Sequence, residues 1–200
     1  DKNYNTYDSI YDIEGTILLI QNKSAIDEYS ENELFYFASH RNTIFYSNSN
    51  FSQKFADSLG FEIEYSNDFA DSLQFKINRN QKAGNFYFNK GINTAYFSKI
   101  DSSKTEVLGT QINSKGEEFA NFIKVKHLNG NFYLHLQPVA FTNYYLLNKN
   151  SQYTEDILGY IPSKSPIYWK VKQYDNEELS SSPMRYLLSQ PALKWAWYLA

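Results

Sequence analysis

The chain has 200 residues, of which 42% are hydrophobic, and its 19 basic and 22 acidic residues give a formal net charge of −3. That balance lacks the basic excess typical of proteins that neutralise phosphate groups, so nucleic acid is not an expected partner. Cysteine is absent, while tyrosine (18) and phenylalanine (15) are abundant. The absence of cysteine excludes disulfides, thiolate nucleophiles and Cys-ligated metals within these residues. The abundance of tyrosine and phenylalanine predicts an aromatic core.

The first third of the chain alternates predicted strands and helices. Residues 16–20 form a nearly continuous apolar run, which is typical of a strand buried on both faces. Residues 24–39 and 50–59 have apolar side chains at helical spacing, and Gly60 is placed to cap the second helix. Residues 43–47 predict another strand, and residues 61–65 predict an edge strand because Glu62 and Glu64 alternate with apolar residues. This order predicts parallel strands joined by helical crossovers.

The middle of the chain is predicted to be antiparallel. Short aromatic runs lie at residues 73–77, 85–88, 95–98, 106–112, 119–127 and 132–136. The turn signal at Asn129 and Gly130 predicts a hairpin, with the side chains of 132, 134 and 136 on one face of its second strand. The predicted fold class is α/β: a flavodoxin-like three-layer sandwich with a mixed sheet extended by antiparallel strands.

The last part of the chain predicts short helices at residues 141–147 and 153–160 and a short strand at 167–171. Near the end, Lys194, Trp195, Trp197 and Tyr198 are typical of the aromatic and cationic belt at a membrane interface. We therefore expect one domain over residues 1–190 and a membrane-proximal segment over 191–200 that leads into a transmembrane helix beyond Ala200. The alternative is a C-terminal helix that docks its tryptophans on the core.

Two blocks of sequence carry a family resemblance. The first runs from Gly130 to Pro138 and continues through Phe141-Thr142-Asn143-Tyr144 and Leu146-Leu147, and the second is Pro191 to Ala196. They resemble an uncharacterised bacterial membrane-protein family with an extracytoplasmic domain of unknown function. That family is similar in turn to class-I glutamine-amidotransferase-like and GldG-like α/β domains.

The resemblance implies a location and a kind of partner. It implies an inner-membrane protein whose domain faces the periplasm, and a membrane-associated protein partner. Amidotransferases of that broad fold use a catalytic cysteine, and this sequence has none. The resemblance therefore carries over no catalytic residue, and ordinary amidotransferase chemistry is excluded.

Motifs for catalysis or metal binding are missing from the sequence. His40 is expected to end a helix, and His127 and His135 flank the predicted hairpin turn without the carboxylates or further histidines that a metal site needs. There is no Gly-x-Ser-x-Gly elbow and no phosphate-binding loop. Paired acids such as Glu62 and Glu64 are typical of solvated faces. We expect no metal, no cofactor and no enzymatic activity.

The candidate binding residues fall in two places: His135, Phe141, Thr142, Asn143 and Tyr144, and then Tyr168 and Trp169. The block from Phe141 to Tyr144 follows a strand that ends at Gln137 and Pro138, and ligands bind outside the carboxyl ends of strands in open α/β sheets. The alternative is that Asn143 caps a helix which Phe141 and Tyr144 anchor to the core. Tyr168 and Trp169 are expected to offer exposed aromatic contact area.

The predicted function is that of a non-catalytic extracytoplasmic binding or scaffolding domain that acts through protein contacts in an envelope assembly. The alternatives are a carbohydrate-binding domain that uses the same aromatics, and an unrecognised hydrolase centred near His135 and Asn143. Surface shape separates the three. A flat apolar patch favours the first, an aromatic-lined groove with polar edges the second, and a deep pocket with a shifted histidine or acid the third.

Overall fold

The computed structural model describes residues 13–22, 26–66, 72–78, 84–147, 151–163 and 165–169. All of them lie within one compact unit that spans residues 1–170, and a second unit, residues 171–200, lies outside the described part of the chain. The elements are β1 (Thr16–Ile20), α1 (Glu28–Ser39), β2 (Thr43–Ser47), α2 (Gln53–Leu59), β3 (Phe61–Tyr65), β4 (Leu73–Ile77), β5 (Gly84–Phe88), β6 (Ala95–Ile100), β7 (Thr105–Ile112), β8 (Glu118–His127), β9 (Gly130–His135), a 3-10 helix (Pro138–Phe141), α3 (Asn143–Leu146), α4 (Ser151–Leu158) and β10 (Ile167–Trp169).

Within the described residues, the strands form one mixed sheet. Eight of them follow the order β10-β1-β2-β9-β8-β7-β4-β5, while β6 pairs with β8 and β3 pairs with β6. The strands β10, β1, β2 and β9 are mutually parallel, whereas β8 runs antiparallel to β9. The predicted α/β class with a mixed sheet is therefore confirmed.

The edge strand β3 occupies a different place from the one that the order of elements predicts. It pairs antiparallel with β6, and β9 takes the place beside β2 that a third parallel strand would have filled. The exposed Glu62 and Glu64 explain this position. A central parallel strand must be apolar on both faces, and β9 meets that requirement while β3 does not.

Two hydrophobic cores lie on opposite faces of the central strands. Successive side chains in a strand point to opposite faces, so Ile44 and Tyr46 join the core under α1 and α2 while Phe45 joins the core under α4. On β9 the same alternation places Phe132 and Leu134 in the first core and Tyr133 in the second. The predicted separation of residues 132 and 134 from 133 is confirmed.

The helix ends are set by their capping residues. The Asp27 carboxylate accepts a hydrogen bond from the Ser30 amide (2.9 Å), so α1 begins at Glu28 rather than at residue 24. The Ser52 hydroxyl accepts from the Phe55 amide (3.1 Å), so α2 begins at residue 53 rather than 50. Gly60 ends α2 with a φ of 74°, as predicted. Among the described helices, none is both long enough and apolar enough to cross a membrane.

Close backbone contacts join α1 to the sheet. The Asn42 side chain accepts from the Gly15 amide (2.7 Å) and donates to the Phe37 carbonyl (3.1 Å), which ties the end of α1 to the start of β1. At Gly130, a β-carbon would collide with the backbone carbonyl oxygens of Ala38 and Asn42. Only glycine allows β9 to begin this close to the end of α1.

Candidate functional site

An open groove of about 390 Å³ lies between α2 and the edge strand β3. Its aromatic residues are Phe51 and Tyr65, and its polar residues are Asn50, Gln53, Glu62 and Glu64. Volumes of about 300–1,000 Å³ are typical of small-molecule sites. The groove is thus aromatic-lined with polar edges, which is the shape that the sequence reasoning associates with carbohydrate binding.

Tyr65 is the exposed aromatic surface of the groove. Its side chain is 56% exposed, and its hydroxyl donates to the Ser49 carbonyl oxygen (3.2 Å) in the segment that precedes α2. The ring is therefore held at both ends, by its backbone on β3 and by its hydroxyl. Because the ring is already held in place, the Tyr65 side chain loses less conformational entropy when a ligand stacks on it.

Phe51 connects the groove to the first core. It is nearly buried and stacks on Phe55, with ring centroids 5.6 Å apart and ring planes 12° apart. Its edge also contacts the Tyr46 ring at 4.8 Å between centroids. The Phe51 wall of the groove is therefore held by its packing against core side chains as well as by the loop that contains it.

Both carboxylates of the groove have partners on β6. Glu62 forms an ion pair with the Lys99 ammonium (2.8 Å), and this contact raises the pKa of Lys99. Glu64 accepts a hydrogen bond from the Tyr96 hydroxyl (2.9 Å), which raises the pKa of Tyr96. These acids are exposed, as the sequence predicts, and their carboxylates reach toward β6, on the face of β3 opposite the Tyr65 ring.

The sequence reasoning missed this site. The signal was present in the run Glu62 to Tyr65, where two acids and an exposed tyrosine follow a helix directly. Because a Glu-x-Glu pattern also occurs on any solvated strand, the run by itself does not distinguish a site from a surface.

His135 lies inside a polar cluster of the second core. Hydrogen bonds link its Nδ1 to the Ser47 hydroxyl (2.8 Å) and its Nε2 to the Tyr153 hydroxyl (3.1 Å). All three side chains are fully buried. Burial lowers the pKa of His135 to about 3 and raises the pKa of Tyr153. His135 is therefore neutral near pH 7 and has no exposed surface for a ligand.

Residues 141–144 surround the start of α3. Thr142, and not Asn143, is the N-cap of this helix, so the expected capping role of Asn143 is wrong by one position. Phe141 does anchor the segment, because its ring packs on Phe45 (5.8 Å between centroids) and on His135 (5.7 Å). Thr142 and Asn143 are exposed.

The anchoring role expected of Tyr144 belongs to its neighbour. Tyr145 is buried, and its hydroxyl donates to the Lys90 carbonyl (2.9 Å) and accepts from the Lys90 amide (2.7 Å). Tyr144 is 44% exposed, and the Lys90 ammonium lies 4.8 Å from its ring centroid. Tyr144 and Asn143 therefore remain on the surface while His135 is enclosed.

The remaining predicted contact residues lie at or beyond the β10 edge. Tyr168 and Trp169 are exposed on β10, but as neighbours on one strand they point to opposite faces. Lys194, Trp195, Trp197 and Tyr198 lie outside the described residues, so the membrane-proximal segment stays a prediction. In the described part of the chain, no group of three or more His, Asp or Glu residues is arranged to hold a metal ion.

Comparisons with known proteins give a fold likeness only. No family profile matches the sequence, and no curated protein matches it. The exo-β-1,4-mannosidase Op5Man5 from Opitutaceae bacterium strain TAV5 matches with a TM-score of 0.50 and 12% identity over 73% of this chain and 25% of that one. A β-galactosidase from Bacillus circulans sp. alkalophilus matches with a TM-score of 0.42 and 10% identity, over 63% of this chain and 20% of that one.

The mannosidase match corrects one prediction. The chain spans about a quarter of the length of that enzyme, so the same fold occurs as one part of a larger glycoside hydrolase. The prediction that this chain is not an enzyme is contradicted by this finding. The missing nucleophile and nucleotide motifs are therefore no ground for excluding catalysis.

Proposed function

We propose that this chain is a carbohydrate-binding domain and that its ligand lies in the groove between α2 and β3. The observation that carries the proposal is the exposed Tyr65 ring, held in a groove with polar edges. A pyranose ring has an apolar face and a hydroxyl-bearing rim. The apolar face suits an aromatic ring, and the hydroxyl groups suit carboxylate and amide partners.

The contacts of the groove support each part of this proposal. Tyr65 is placed as the stacking platform, and Asn50 and Gln53 offer hydrogen bonds to hydroxyl groups. The likeness to a domain of an exo-β-1,4-mannosidase adds support at the level of the fold. We propose that the chain belongs to a larger carbohydrate-acting protein, in which hydrolysis of the bound sugar is the second candidate function.

Several finer predictions belong to the proposal. The flavodoxin-like three-layer arrangement is supported by the four parallel strands and by a core on each face of the sheet. The resemblance to the bacterial membrane-protein family, the place of the domain outside the inner membrane and a protein partner at Tyr168 and Trp169 are proposed on the sequence alone.

The test is a binding titration with neutral β-1,4-linked oligosaccharides of mannose, glucose and galactose. We expect Tyr65→Ala to weaken binding by about tenfold, which corresponds to about 1.4 kcal/mol of lost ring contact. Tyr87→Ala is the matched control, because Tyr87 is 63% exposed on β5 and does not line the groove. Equal losses in both variants, or no binding to any of the sugars, contradict the proposal. Release of reducing sugar in the same samples tests hydrolysis.

A further inference from the structure

The edge of β3 that faces away from β6 has no strand partner among the described residues. Main-chain bonds to β6 fix the orientation of the strand: the Ser66 amide donates to the Thr94 carbonyl (3.0 Å), and Glu64 holds the equivalent position two residues earlier. In an antiparallel pair, such hydrogen-bonded positions alternate with positions whose N–H and C=O groups point away from the partner. The outward-pointing residues of β3 are therefore Ile63 and Tyr65.

The groove follows this outward edge of β3. Four consecutive residues, Glu62 to Tyr65, line it, although successive side chains of a strand point to opposite faces. The carboxylates of Glu62 and Glu64 reach away from it to Lys99 and Tyr96 on β6. The four residues therefore share their main chain with the groove, over about 10 Å of extended strand.

The outward main-chain groups are available to a ligand. Within the described part of the chain, the N–H and C=O groups of Ile63 and Tyr65 form no main-chain hydrogen bond on the side away from β6. An open strand edge of this kind presents a row of unpaired donors and acceptors. A hydroxyl group both donates and accepts, so one type of ligand group satisfies both kinds of main-chain group.

The stacking platform and the open edge are continuous. Tyr65 supplies the exposed ring, and its own N–H and C=O groups belong to the outward set. Ile63 presents the second pair of groups about 7 Å along the strand, and its side chain is held by packing against the first core. A ligand that uses the ring and both pairs of groups must therefore extend along β3.

We propose that the groove binds linear, neutral oligosaccharides lengthwise along β3, with one sugar ring on Tyr65 and the hydroxyl groups of the next sugar bonded to the main chain of Ile63. The inference rests on the proposed function, because it assumes that a sugar stacks on Tyr65. The ligand class follows from the chemistry of the edge. Its groups are uncharged donors and acceptors, which suit hydroxyl groups, and its length suits a chain of sugars better than a single one.

The first measurement is a binding titration with the β-1,4-linked mannose and glucose series, from monosaccharide to tetrasaccharide. We expect the affinity to rise about tenfold between the monosaccharide and the trisaccharide and then to level off, because the edge ends. Added salt should leave the affinity unchanged, since no ion pair forms.

The change that decides the inference replaces the Ile63 amide by an ester, introduced as the α-hydroxy acid of isoleucine. It removes one outward N–H and keeps the side chain. We expect the trisaccharide to bind about tenfold more weakly and the monosaccharide to bind as before. The same replacement at Asn85 is the matched control: Asn85 is exposed on the edge strand β5, outside the groove, and its N–H likewise points away from the neighbouring strand β4.

Several outcomes overturn the inference. They are equal affinity for the monosaccharide and the trisaccharide, trisaccharide binding that the ester at Ile63 does not weaken, and an equal loss with the ester at Asn85. If the ester at Ile63 weakens binding of an extended Thr-Val hexapeptide and not of the trisaccharide, the edge is a peptide site and the inference also fails. In each case, sugar binding that Tyr65→Ala weakens leaves the proposed function intact. Binding that Tyr65→Ala does not weaken removes both.

Discussion

Ser47 and His135 lie opposite each other at the carboxyl ends of the parallel strands β2 and β9, and a hydrogen bond of 2.8 Å joins the Ser47 hydroxyl to His135 Nδ1. The other ring nitrogen of His135 is bonded to Tyr153 on α4. One buried imidazole thus links two strands to a helix on the second face. Because both nitrogens have partners, the ring satisfies its polar groups without water or charge.

The first prediction concerns the pH dependence of folding. Burial lowers the pKa of His135 from about 6.5 to about 3. Below pH 6.5 the unfolded chain therefore binds a proton that the native chain does not bind. Stability from this residue is complete above pH 6.5 and is lost as the pH falls toward 3. We expect a loss of about 3 kcal/mol between about pH 7 and about pH 4, measured by denaturant unfolding.

Two variants test the assignment of that loss to His135. His135→Gln removes the titrating ring, so the variant should take up about one proton fewer on unfolding between about pH 4 and about pH 6 than the native chain does. Its free energy of unfolding should therefore depend less steeply on pH. Ser47→Ala keeps the ring and leaves a nitrogen without its partner, so it should cost about 1–3 kcal/mol at neutral pH while the pH dependence persists. An identical pH dependence in His135→Gln and the native chain would refute the assignment.

The second prediction concerns the close approach at Gly130. We expect Gly130→Ala to destabilise the chain by more than about 3 kcal/mol, because its β-carbon meets two backbone carbonyl groups that cannot move independently of α1 and β2. Gly116→Ala is the control. Gly116 has a φ of 82° and open space around its α-carbon, so the cost there is backbone strain of about 1–2 kcal/mol. Thermal unfolding measures both, and equal shifts of Tm would show that the contact at Gly130 relaxes.

The third prediction compares two buried amides. Asn121 is fully buried beside the Tyr153 hydroxyl, but neither atom of its amide makes a hydrogen bond of good geometry. Gln137 is also fully buried, and its amide donates to the Asn93 carbonyl (2.6 Å) and to the Gln111 side chain (3.2 Å). We expect Asn121→Leu to be neutral or stabilising, because an apolar side chain of the same branching avoids burying an unpaired amide.

Gln137→Met is the comparison for that variant. It leaves the Asn93 and Gln111 groups without their donor, so it should cost about 1–3 kcal/mol. Denaturant midpoints of the two variants at one pH give the answer. A larger loss for Asn121→Leu than for Gln137→Met would mean that the Asn121 amide is well bonded in solution.

The strand positions were predictable because their signal is local. The runs at residues 73–77 and 132–136 alternate apolar side chains, and the structure has strands at Leu73–Ile77 and Gly130–His135. The starts of the two helices were less predictable, since residues 24 and 50 are capable of capping a helix as well as Asp27 and Ser52. The choice among such residues depends on which turn places Leu34 and Phe55 in the core.

The site was harder to predict than the elements that form it. Tyr145 is buried, and not Tyr144, because the Tyr145 hydroxyl bonds to the backbone of Lys90, which lies 55 residues before Tyr145 in the sequence. His135 was predicted near a ligand because it ends a strand, but α4 covers it through Tyr153. In each case a distant segment decides whether a polar side chain meets water or protein.

The sequence by itself determined where the strands lie and which side chains share a face of each strand. It also determined that two acids and a tyrosine occupy one edge strand. These features follow from the alternation of side chains, with a period of two residues, along a single segment. Only the tertiary structure decided that β3 pairs with β6, that β9 lies beside β2, and that α2 and β3 enclose a groove. The physical reason is that strand pairing depends on the total apolar surface that the whole chain buries on folding. The sequence of a single segment does not specify that total.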